Sequence, residues 1–291
     1  MNSQAYCIIT PSYAPDFNRC RLLCETIAQF SKTLLTHYII VDRRDYSLFS
    51  QLQNSHTQII TKEEILPEWI FQIPFLKKKN LWFSFKTLPV RGWLIQQLIK
   101  LAIAKYINEE ILVFADSDVF FVRPFDLSDY INSNNEVRFF CEPNAVLINN
   151  KHLPRWYYDA SNLLKINPPK FPASNYMGQL IFWRKTNVLK LHRYLEEFHQ
   201  KEWIETLCNQ WNFSEYILYG VFVEKILQET SGHYFDSQDL CLNYWEEEPM
   251  SEQQLQDFLA KVTPEHIAVM LSAKADIPVS KYQQYIQQLA I

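Results

Sequence analysis

Glycine is scarce in this sequence: the 291 residues contain only four, at Gly92, Gly178, Gly220 and Gly232. Average usage of about 7% would give roughly twenty in a chain of this length. Neither G-x-G-x-x-G nor G-x-x-x-x-G-K-[ST] can be built from glycines so far apart, which excludes a Rossmann dinucleotide fingerprint and a P-loop. A phosphate-binding site in this protein must therefore work without a glycine-rich loop.

Basic tracts are also few, since 28 Lys and Arg residues against 32 Asp and Glu residues give a formal net charge of −4. Nucleic-acid binding depends largely on Lys and Arg that neutralise phosphates, so we expect no nucleic-acid partner. The one basic cluster, Lys77-Lys78-Lys79, is short and flanked by apolar residues. It fits a solvated loop, or a weak contact with anionic lipid or an acidic substrate.

Long hydrophobic runs and paired cysteines are missing as well. No stretch approaches the ~18–20 uncharged apolar residues of a membrane helix, and the first residues lack the basic region and apolar run of a signal peptide. The six cysteines form no C-x-x-C pair, which excludes the common zinc spacings. We therefore expect a cytoplasmic protein with reduced cysteines, and contact with the inner face of the membrane stays open.

Short apolar runs alternate with helical patterns in the first half of the chain. They predict strands at 6–10, 38–41, 58–61 and 110–115, separated by helices, with a long amphipathic helix over about 90–107 and an irregular aromatic segment at 67–89. Residues 110–115 form a nearly continuous apolar run, which is typical of a parallel strand buried on both faces. The pattern predicts an α/β fold with an open, mostly parallel central sheet flanked by helices.

The second half changes character but shows no linker or repeat. Strands are predicted at 138–141, 179–183 and 266–271, and helices at about 151–165, 186–200, 202–210, 214–229 and 280–289. We therefore expect one domain over 1–291, in which residues 1–125 build the nucleotide-binding α/β part and residues 126–291 complete the site and receive the acceptor.

Two carboxylates stand out where the strand at 110–115 ends, in the sequence Phe114-Ala-Asp116-Ser117-Asp118. Ligands of open α/β sheets bind beyond the carboxyl ends of the strands, and alternation lets Asp116 and Asp118 point the same way. Like charges held together are costly unless a cation joins them, and oxygen ligands favour Mg²⁺ or Mn²⁺ completed by substrate phosphates. The alternative is that the two aspartates merely open and cap a turn.

This pattern of an apolar run, D-x-D and a further apolar run resembles the donor-binding motif of GT-A glycosyltransferases, the nucleotide-diphospho-sugar transferase fold. Thr10-Pro11-Ser12-Tyr13 resembles the opening of that fold's nucleotide pocket. The segment from Asn175 to Gly178 and Gln179 resembles the one that lines the sugar site in retaining enzymes. As a whole, the chain is similar to an uncharacterised bacterial family of this superfamily.

The resemblance implies a metal-dependent glycosyltransferase that moves a sugar from a nucleotide-sugar donor to an unknown carbohydrate, lipid or small-molecule acceptor. The resemblance also implies that Asp118 binds Mn²⁺ or Mg²⁺ directly and that Asp116 touches the ribose or the metal, with Ser117 between them. The metal offsets charge on the leaving nucleoside diphosphate. Lys274 reaches the diphosphate, and Arg91 and Lys100 are candidates for further phosphate contacts or for a solvated helix face.

The third metal ligand and the catalytic group stay open at this stage. Related retaining enzymes place a histidine after the last strand, where this chain has Ser272, so His266 and His233 are the candidates, although strand histidines are more often structural. An inverting enzyme needs a general base, for which Glu215 is the first candidate and Glu142 the second. A retaining enzyme needs a group beside the anomeric carbon, and Gln179 fits.

Aromatic side chains make up 15% of the chain, and most of them must belong to the core. Stacking on sugar or nucleobase rings is the alternative use for some, and Tyr13, which follows the first strand, is the main candidate for the base. The other candidates are Trp69, Trp82, Trp93, Trp156 and Tyr157.

Two other functions fit part of the sequence. Asp116-Ser-Asp-Val119 also matches the nucleophilic motif of haloacid-dehalogenase-type phosphatases, although that fold normally carries the motif near its N-terminus. A GT-A-like domain that binds nucleotide or carbohydrate without turnover is the third hypothesis.

Overall fold

Five strands build the central sheet of the computed structural model, which describes residues 6–73 and 81–289. Their order is β12-β7-β1-β2-β3, in which β7, β1, β2 and β3 are parallel and β12 runs antiparallel to β7 at the edge. Smaller sheets pair β14-β15-β8, β13-β9, β10-β11 and β4-β5-β6. The strands of the described residues are β1 (Tyr6–Pro11), β2 (Thr36–Val41), β3 (Thr57–Thr61), β4 (Ile70–Phe71), β5 (Leu81–Ser84), β6 (Val90–Arg91), β7 (Ile111–Phe114), β8 (Val119–Phe121), β9 (Val137–Phe140), β10 (Glu142–Val146), β11 (Ala173–Asn175), β12 (Ile181–Arg184), β13 (His233–Asp236), β14 (Cys241–Tyr244) and β15 (Ala268–Leu271).

Helices cover both faces of this sheet. Those of the described residues are α1 (Phe17–Phe30), α2 (Tyr46–Phe49), α3 (Lys62–Ile65), α4 (Gly92–Ala102), α5 (Leu153–Leu163), α6 (Lys185–His199), α7 (Trp203–Cys208), α8 (Glu215–Val221), α9 (Glu252–Leu259), α10 (Val279–Tyr282) and α11 (Ile286–Leu289). The predicted α/β class with a mostly parallel, helix-flanked sheet in a single domain is therefore confirmed.

Alternation along β1 divides the core between the two helical layers. Cys7 and Ile9 are buried in the cluster that holds Leu94 and Leu98 of α4, whereas Ile8 is buried with Leu23 of α1. Successive side chains of a strand point to opposite faces, so the uninterrupted apolar run of β1 is what a strand between two helical layers needs.

Strand directions bring separate parts of the chain to one edge of the sheet. Parallel β1 and β7 end there together, with Ile9 opposite Phe114. Because β12 is antiparallel to β7 and pairs Ile181 with Phe114, the residues just before β12 lie beside those just after β7. In the same way β15 runs antiparallel to β8, and the Leu271 amide donates to the Asp118 carbonyl.

Several predicted elements have different bounds. The helix expected at 90–107 is α4, followed by a short 3₁₀ turn at Ile103–Lys105, and the helix expected at 214–229 is α8 followed by a π-helical turn at Phe222–Leu227. The segment 67–89 contains short strands rather than only irregular chain. The cluster Lys77-Lys78-Lys79 lies outside the described residues. No helix of the described ranges has the length and apolar character to cross a membrane.

Candidate active site

A cavity of about 700 Å³ opens at the carboxyl edge of the central sheet, where β1 and β7 end. Its walls come from the ends of these strands, from α4 and α8, and from the segments before β12 and after β15. The lining residues are Pro11, Tyr13, Asp16, Trp93, Gln96, Gln97, Lys100, Asp116, Ser117, Asp118, Leu153, Trp156, Asn175, Met177, Gly178, Ser214, Glu215, Tyr216, Trp245, Ser272, Ala273 and Lys274.

Asp116 is held at two points by the buried side chain of Gln179. The Gln179 Nε2 donates to Asp116 Oδ2 at 2.9 Å, and the Asp116 backbone amide donates to Gln179 Oε1 at 3.1 Å. Only one orientation of the amide satisfies both bonds, because one partner is an acceptor and the other a donor. The Asp116 carboxylate, with 41% of its side chain exposed, is thereby fixed toward the cavity.

Lys100 lies beneath Asp116 in the floor of the cavity and is almost fully buried. Its Nζ is 2.9 Å from the Tyr216 hydroxyl, 3.1 Å from Glu215 Oε1 and 3.5 Å from Asp116 Oδ1. Burial disfavours the ammonium, but the charges of Asp116, Tyr216 and Glu215 together raise the pKa of Lys100 well above its ordinary value. Of these contacts, the one to Tyr216 is a hydrogen bond and the two carboxylates are ion-pair partners; buried Glu215 Oε1 has no hydrogen-bond partner among the described residues.

Asp118 presents a different environment, because one of its two carboxylate oxygens is unused. The Ala273 amide donates to Asp118 Oδ2 at 2.9 Å, whereas buried Oδ1 has no hydrogen-bond partner among the described residues. Burial, followed by the charge of Asp116, raises the pKa of Asp118 to about 7. A buried carboxylate oxygen without a partner is costly, and a cation would relieve that cost.

Asp16 brings a third carboxylate into the cavity. It directly precedes α1, but its side chain makes no capping bond. Instead, its carboxylate accepts from Arg19 and from the Ser117 hydroxyl, each at 3.3 Å. Burial is the main reason that the pKa of Asp16 is raised, and the charge of Asp116 adds to it.

The donor set fits a hard divalent cation that is completed by substrate. Asp118 Oδ1 is the oxygen that is available, and the Asp116 carboxylate is exposed beside it. Within the described residues, no group of three His, Cys, Asp or Glu side chains could hold a metal by itself. A site with one or two carboxylates is what Mg²⁺ uses when phosphates and water supply the other ligands.

Most of the residues expected to bind the donor line this cavity: Pro11, Tyr13, Lys100, Asp116, Ser117, Asp118, Gly178 and Lys274 do. Lys274 is 72% exposed and pairs with Glu247 at 2.6 Å. Lys100 is buried and its Nζ faces protein oxygens, so the alternative of a solvated helix face is wrong for it, and a phosphate contact by Lys100 stays a prediction. Thr10 and Ser12 are buried outside the lining, and the Thr10 hydroxyl bonds His37 Nε2.

Arg91 and Gln179 also lie elsewhere than expected. The Arg91 guanidinium is bonded to the Trp211 carbonyl and to Asn212 Oδ1, and it stacks over the Trp211 ring at 4.5 Å, outside the lining. Gln179 is not among the lining residues, and both ends of its amide are bonded to Asp116. It therefore positions Asp116, and a place beside the anomeric carbon stays a prediction.

Neither histidine proposed as a third metal ligand reaches the aspartates. His233 is buried with both ring nitrogens bonded, Nε2 to the Tyr219 hydroxyl and Nδ1 to the Val137 carbonyl. His266 precedes β15, at the end of that strand remote from Asp118, and its Nδ1 accepts from the Thr263 amide. Burial lowers the pKa of His233 to about 4, so it is a neutral core residue.

Glu215 does line the cavity, next to Lys100, at the first position of α8. Its amide donates to Gln97 Oε1 at 3.2 Å, and burial raises the pKa of its carboxyl while Lys100 opposes that shift. Glu142 is exposed on β10 and does not line the cavity. Among the aromatic candidates, Trp93 and Trp156 line it. The others do not: Trp82 is buried in the core, Trp69 bonds Glu202, and Tyr157 lines a separate cavity of about 290 Å³.

Several lining residues carry no signal in the sequence. Asp16 looks like a helix cap, and Gln96 and Gln97 look like the polar face of a helix. Trp245 is 59% exposed. It and Ala273 reach the cavity because β15 pairs with β8, which lies more than a hundred residues earlier in the chain. From this part of the wall, the sequence analysis named only Lys274, in the turn after β15.

Residues 6–290 match a family described as "Family of unknown function (DUF6492)", and the chain belongs to that family. No curated protein matches it in sequence. Among solved structures, it is similar to the apo form of mouse Xyloside xylosyltransferase 1, with a TM-score of 0.44 and 8% identity over 94% of this chain and 100% of that one.

Proposed function

We propose that this member of DUF6492 is a metal-dependent glycosyltransferase that uses a nucleotide-diphospho-sugar donor. The observation that carries the proposal is the buried, unpartnered Oδ1 of Asp118 beside the fixed carboxylate of Asp116. Both face a cavity large enough for a nucleotide sugar, at the edge of the sheet where α/β proteins bind ligands.

Asp118 and Asp116 would hold Mn²⁺ or Mg²⁺ together with the donor diphosphate. When bound, the ion would supply Lewis-acid stabilisation of the charge on the leaving diphosphate. Gln179 and Lys100 keep the Asp116 carboxylate in one orientation, so little reorganisation is needed when the donor binds. This arrangement supplies phosphate affinity in a chain that has no glycine-rich loop.

Other lining residues have roles that match their places. Tyr13, 40% exposed at the end of β1, offers a ring for the nucleobase. Gly178 lets a substrate approach the backbone. Lys274 can exchange its exposed partner Glu247 for a phosphate oxygen, since an exposed ion pair contributes little stability.

Glu215 is the carboxylate that we propose as the proton acceptor. The acceptor oxygen forms a bond to the anomeric carbon, the bond from that carbon to the diphosphate oxygen breaks, and the hydroxyl proton passes to Glu215. This is general-base catalysis in an inverting reaction. The two bonds from the Gln179 amide to Asp116 favour a positioning role for Gln179 over the alternative retaining role.

Donor turnover tests the proposal. The purified protein is incubated with a panel of nucleotide sugars, with Mn²⁺ or with a chelator, and the released nucleoside diphosphate is quantified by chromatography. We expect release from at least one donor with Mn²⁺, and at least a hundredfold loss in Asp118→Asn, roughly the effect of removing one essential charge-stabilising group. Asp257→Asn, an exposed carboxylate on α9, is the matched control and should keep full activity.

Two results would overturn the proposal. Hydrolysis of p-nitrophenyl phosphate that depends on Asp116 would identify a phosphatase. Binding of nucleotides without release from any donor would identify a binding domain without turnover.

A further inference from the structure

Two tryptophans from different helices form one wall of the cavity. Trp93 lies in the first turn of α4 and Trp156 in the first turn of α5, and both line the cavity. Their rings stack, with centroids 6.0 Å apart and planes 21° apart, and His152 stacks behind Trp156 at 6.2 Å. The neighbouring rings fix the plane of Trp93, which is nevertheless 39% exposed. A large ring that is exposed yet held in place favours ligand stacking, since little conformational entropy is lost on binding.

The helix sets the distance from this wall to the aspartates. Trp93 and Lys100 both line the cavity and are seven residues apart on α4. At 1.5 Å per residue, this spacing puts Trp93 about 10 Å along the helix axis from the lysine that contacts Asp116. Such a distance leaves room for the transferred sugar next to the diphosphate, with a second ring on the tryptophan.

Tyr13 comes from a different element than the two tryptophans. It follows β1, lines the same cavity and is 40% exposed. A nucleotide sugar is a linear molecule with its base and its sugar on opposite sides of the diphosphate. If the base lies toward Tyr13, the sugar points toward α4 and the tryptophan wall.

Polar groups beside the wall indicate the chemistry of its ligand. Gln96 brings a side-chain amide to the same cavity, and Leu153 and Met177 bring apolar surface. The amide of Asn175 also lines it, but both of its ends are bonded to the Met177 backbone. A sugar ring has an apolar face of C–H groups and a rim of hydroxyls, which matches an aromatic surface bordered by amides.

We propose, resting on the transferase function above, that the acceptor is a carbohydrate and that one of its rings stacks on Trp93, which Trp156 holds in place. Gln96 bonds its hydroxyls. The reactive hydroxyl then faces Glu215, which lines the same cavity next to Lys100.

Saturation-transfer difference NMR tests this without a known acceptor. The probes are methyl α- and β-glycosides of glucose, galactose, mannose and xylose, used with wild type, Trp93→Ala, Trp93→Phe and the control Trp211→Ala. Trp211 is 67% exposed and lies outside the cavity lining. Thermal shift with nucleoside diphosphates and Mn²⁺ is measured on the same samples, as an independent report on the donor site.

We expect at least one glycoside to show its strongest transfer at the C–H protons of one ring face. Its affinity should fall about tenfold in Trp93→Ala, recover in Trp93→Phe and stay unchanged in Trp211→Ala, while the nucleotide response persists in all variants. No glycoside signal with wild type, or a signal that Trp93→Ala leaves intact, overturns the acceptor assignment even if nucleotides bind. Loss of the nucleotide response in Trp93→Ala also overturns it, because the wall would then hold the nucleobase. A missing nucleotide response in wild type counts against the transferase function instead.

Discussion

Replacing Lys100 by Met tests the buried charge network most severely. The substitution removes the ammonium that lies 3.1 Å from Glu215 and 3.5 Å from Asp116 while keeping an unbranched apolar side chain. Removing one partner of a buried ion pair costs about 3–5 kcal/mol, because the other charge is left uncompensated. A folded domain has only about 5–15 kcal/mol of stability in total. At about 2–3 °C per kcal/mol for a chain of this size, Tm should fall by roughly 6–15 °C.

The assay is urea unfolding at pH 8 and pH 5, with two comparison variants. Lys201→Met removes an exposed lysine that pairs with Glu205 at 3.5 Å, and it should cost under about 1 kcal/mol. The double variant Lys100→Met/Glu215→Gln lacks the carboxylate that Lys100→Met leaves uncompensated. It should therefore recover at least half of the free energy of unfolding that the single variant loses. The loss in Lys100→Met should also shrink at pH 5, since burial raises the pKa of Glu215 and the lysine that opposes this shift is gone, which favours the neutral carboxyl.

Two results would refute this reasoning. One is a Lys100→Met variant within about 1 kcal/mol of wild type at pH 8. The other is a double variant at least as unstable as the single one. Either would mean that the ammonium does not compensate the buried carboxylates.

Three further predictions concern other parts of the molecule. Burial lowers the pKa of His192 to about 3, while an imidazole in the unfolded chain titrates near 6.5. The free energy of unfolding should therefore fall by about 1.4 kcal/mol per pH unit below pH ~6. His192→Phe should flatten this part of the pH profile measured by urea unfolding, and an unchanged slope would contradict the assignment. A methyl group on Gly220 would overlap the buried ring of Tyr176, so Gly220→Ala should lose about 1–3 kcal/mol of stability. A methyl group on Gly178 would have its nearest neighbours 3.6 Å away, so Gly178→Ala should keep wild-type stability and lose donor affinity in a binding titration. A Gly178→Ala variant less stable than Gly220→Ala would contradict this geometry. Asp118→Asn should raise Tm in chelator, because it removes a buried carboxylate whose Oδ1 has no hydrogen-bond partner among the described residues. It should also abolish any rise in Tm that depends on Mn²⁺, and a retained Mn²⁺ response would exclude Asp118 as a ligand.

The sheet could be predicted from the sequence because its determinants are local. The apolar runs of β1 and β7 must be buried on both faces, and that burial requires helices on either side. The aspartates could be found for the same reason, since Asp116 lies two residues after the end of the apolar strand β7.

The network around the aspartates depends on contacts that sequence spacing does not encode. Gln179 reaches Asp116 only because β12 runs antiparallel to β7. Lys100 and Tyr216 meet across 116 residues. Asp16 stands directly before α1, and residue type alone does not reveal that its carboxylate accepts from Ser117 and makes no capping bond.

The places of the two candidate histidines also depend on contacts that sequence spacing does not encode. His233 and His266 were candidates because related retaining enzymes place a histidine after the last strand, where this chain has Ser272. Burial and local hydrogen bonds, which take up the ring nitrogens of His233 and Nδ1 of His266, decide their roles instead.

The central claim is that Asp118 and Asp116 hold a divalent cation together with a nucleoside diphosphate, and a thermal-shift panel measures this directly. Nucleoside diphosphates and nucleotide sugars are each added with and without Mn²⁺ to wild type and to Asp118→Asn. A ligand at a hundred times its Kd stabilises the folded state by about 2.7 kcal/mol. We predict a rise in Tm for one nucleotide that requires Mn²⁺ and is lost in Asp118→Asn. The claim is contradicted if no nucleotide raises Tm, or if the rise is the same in chelator.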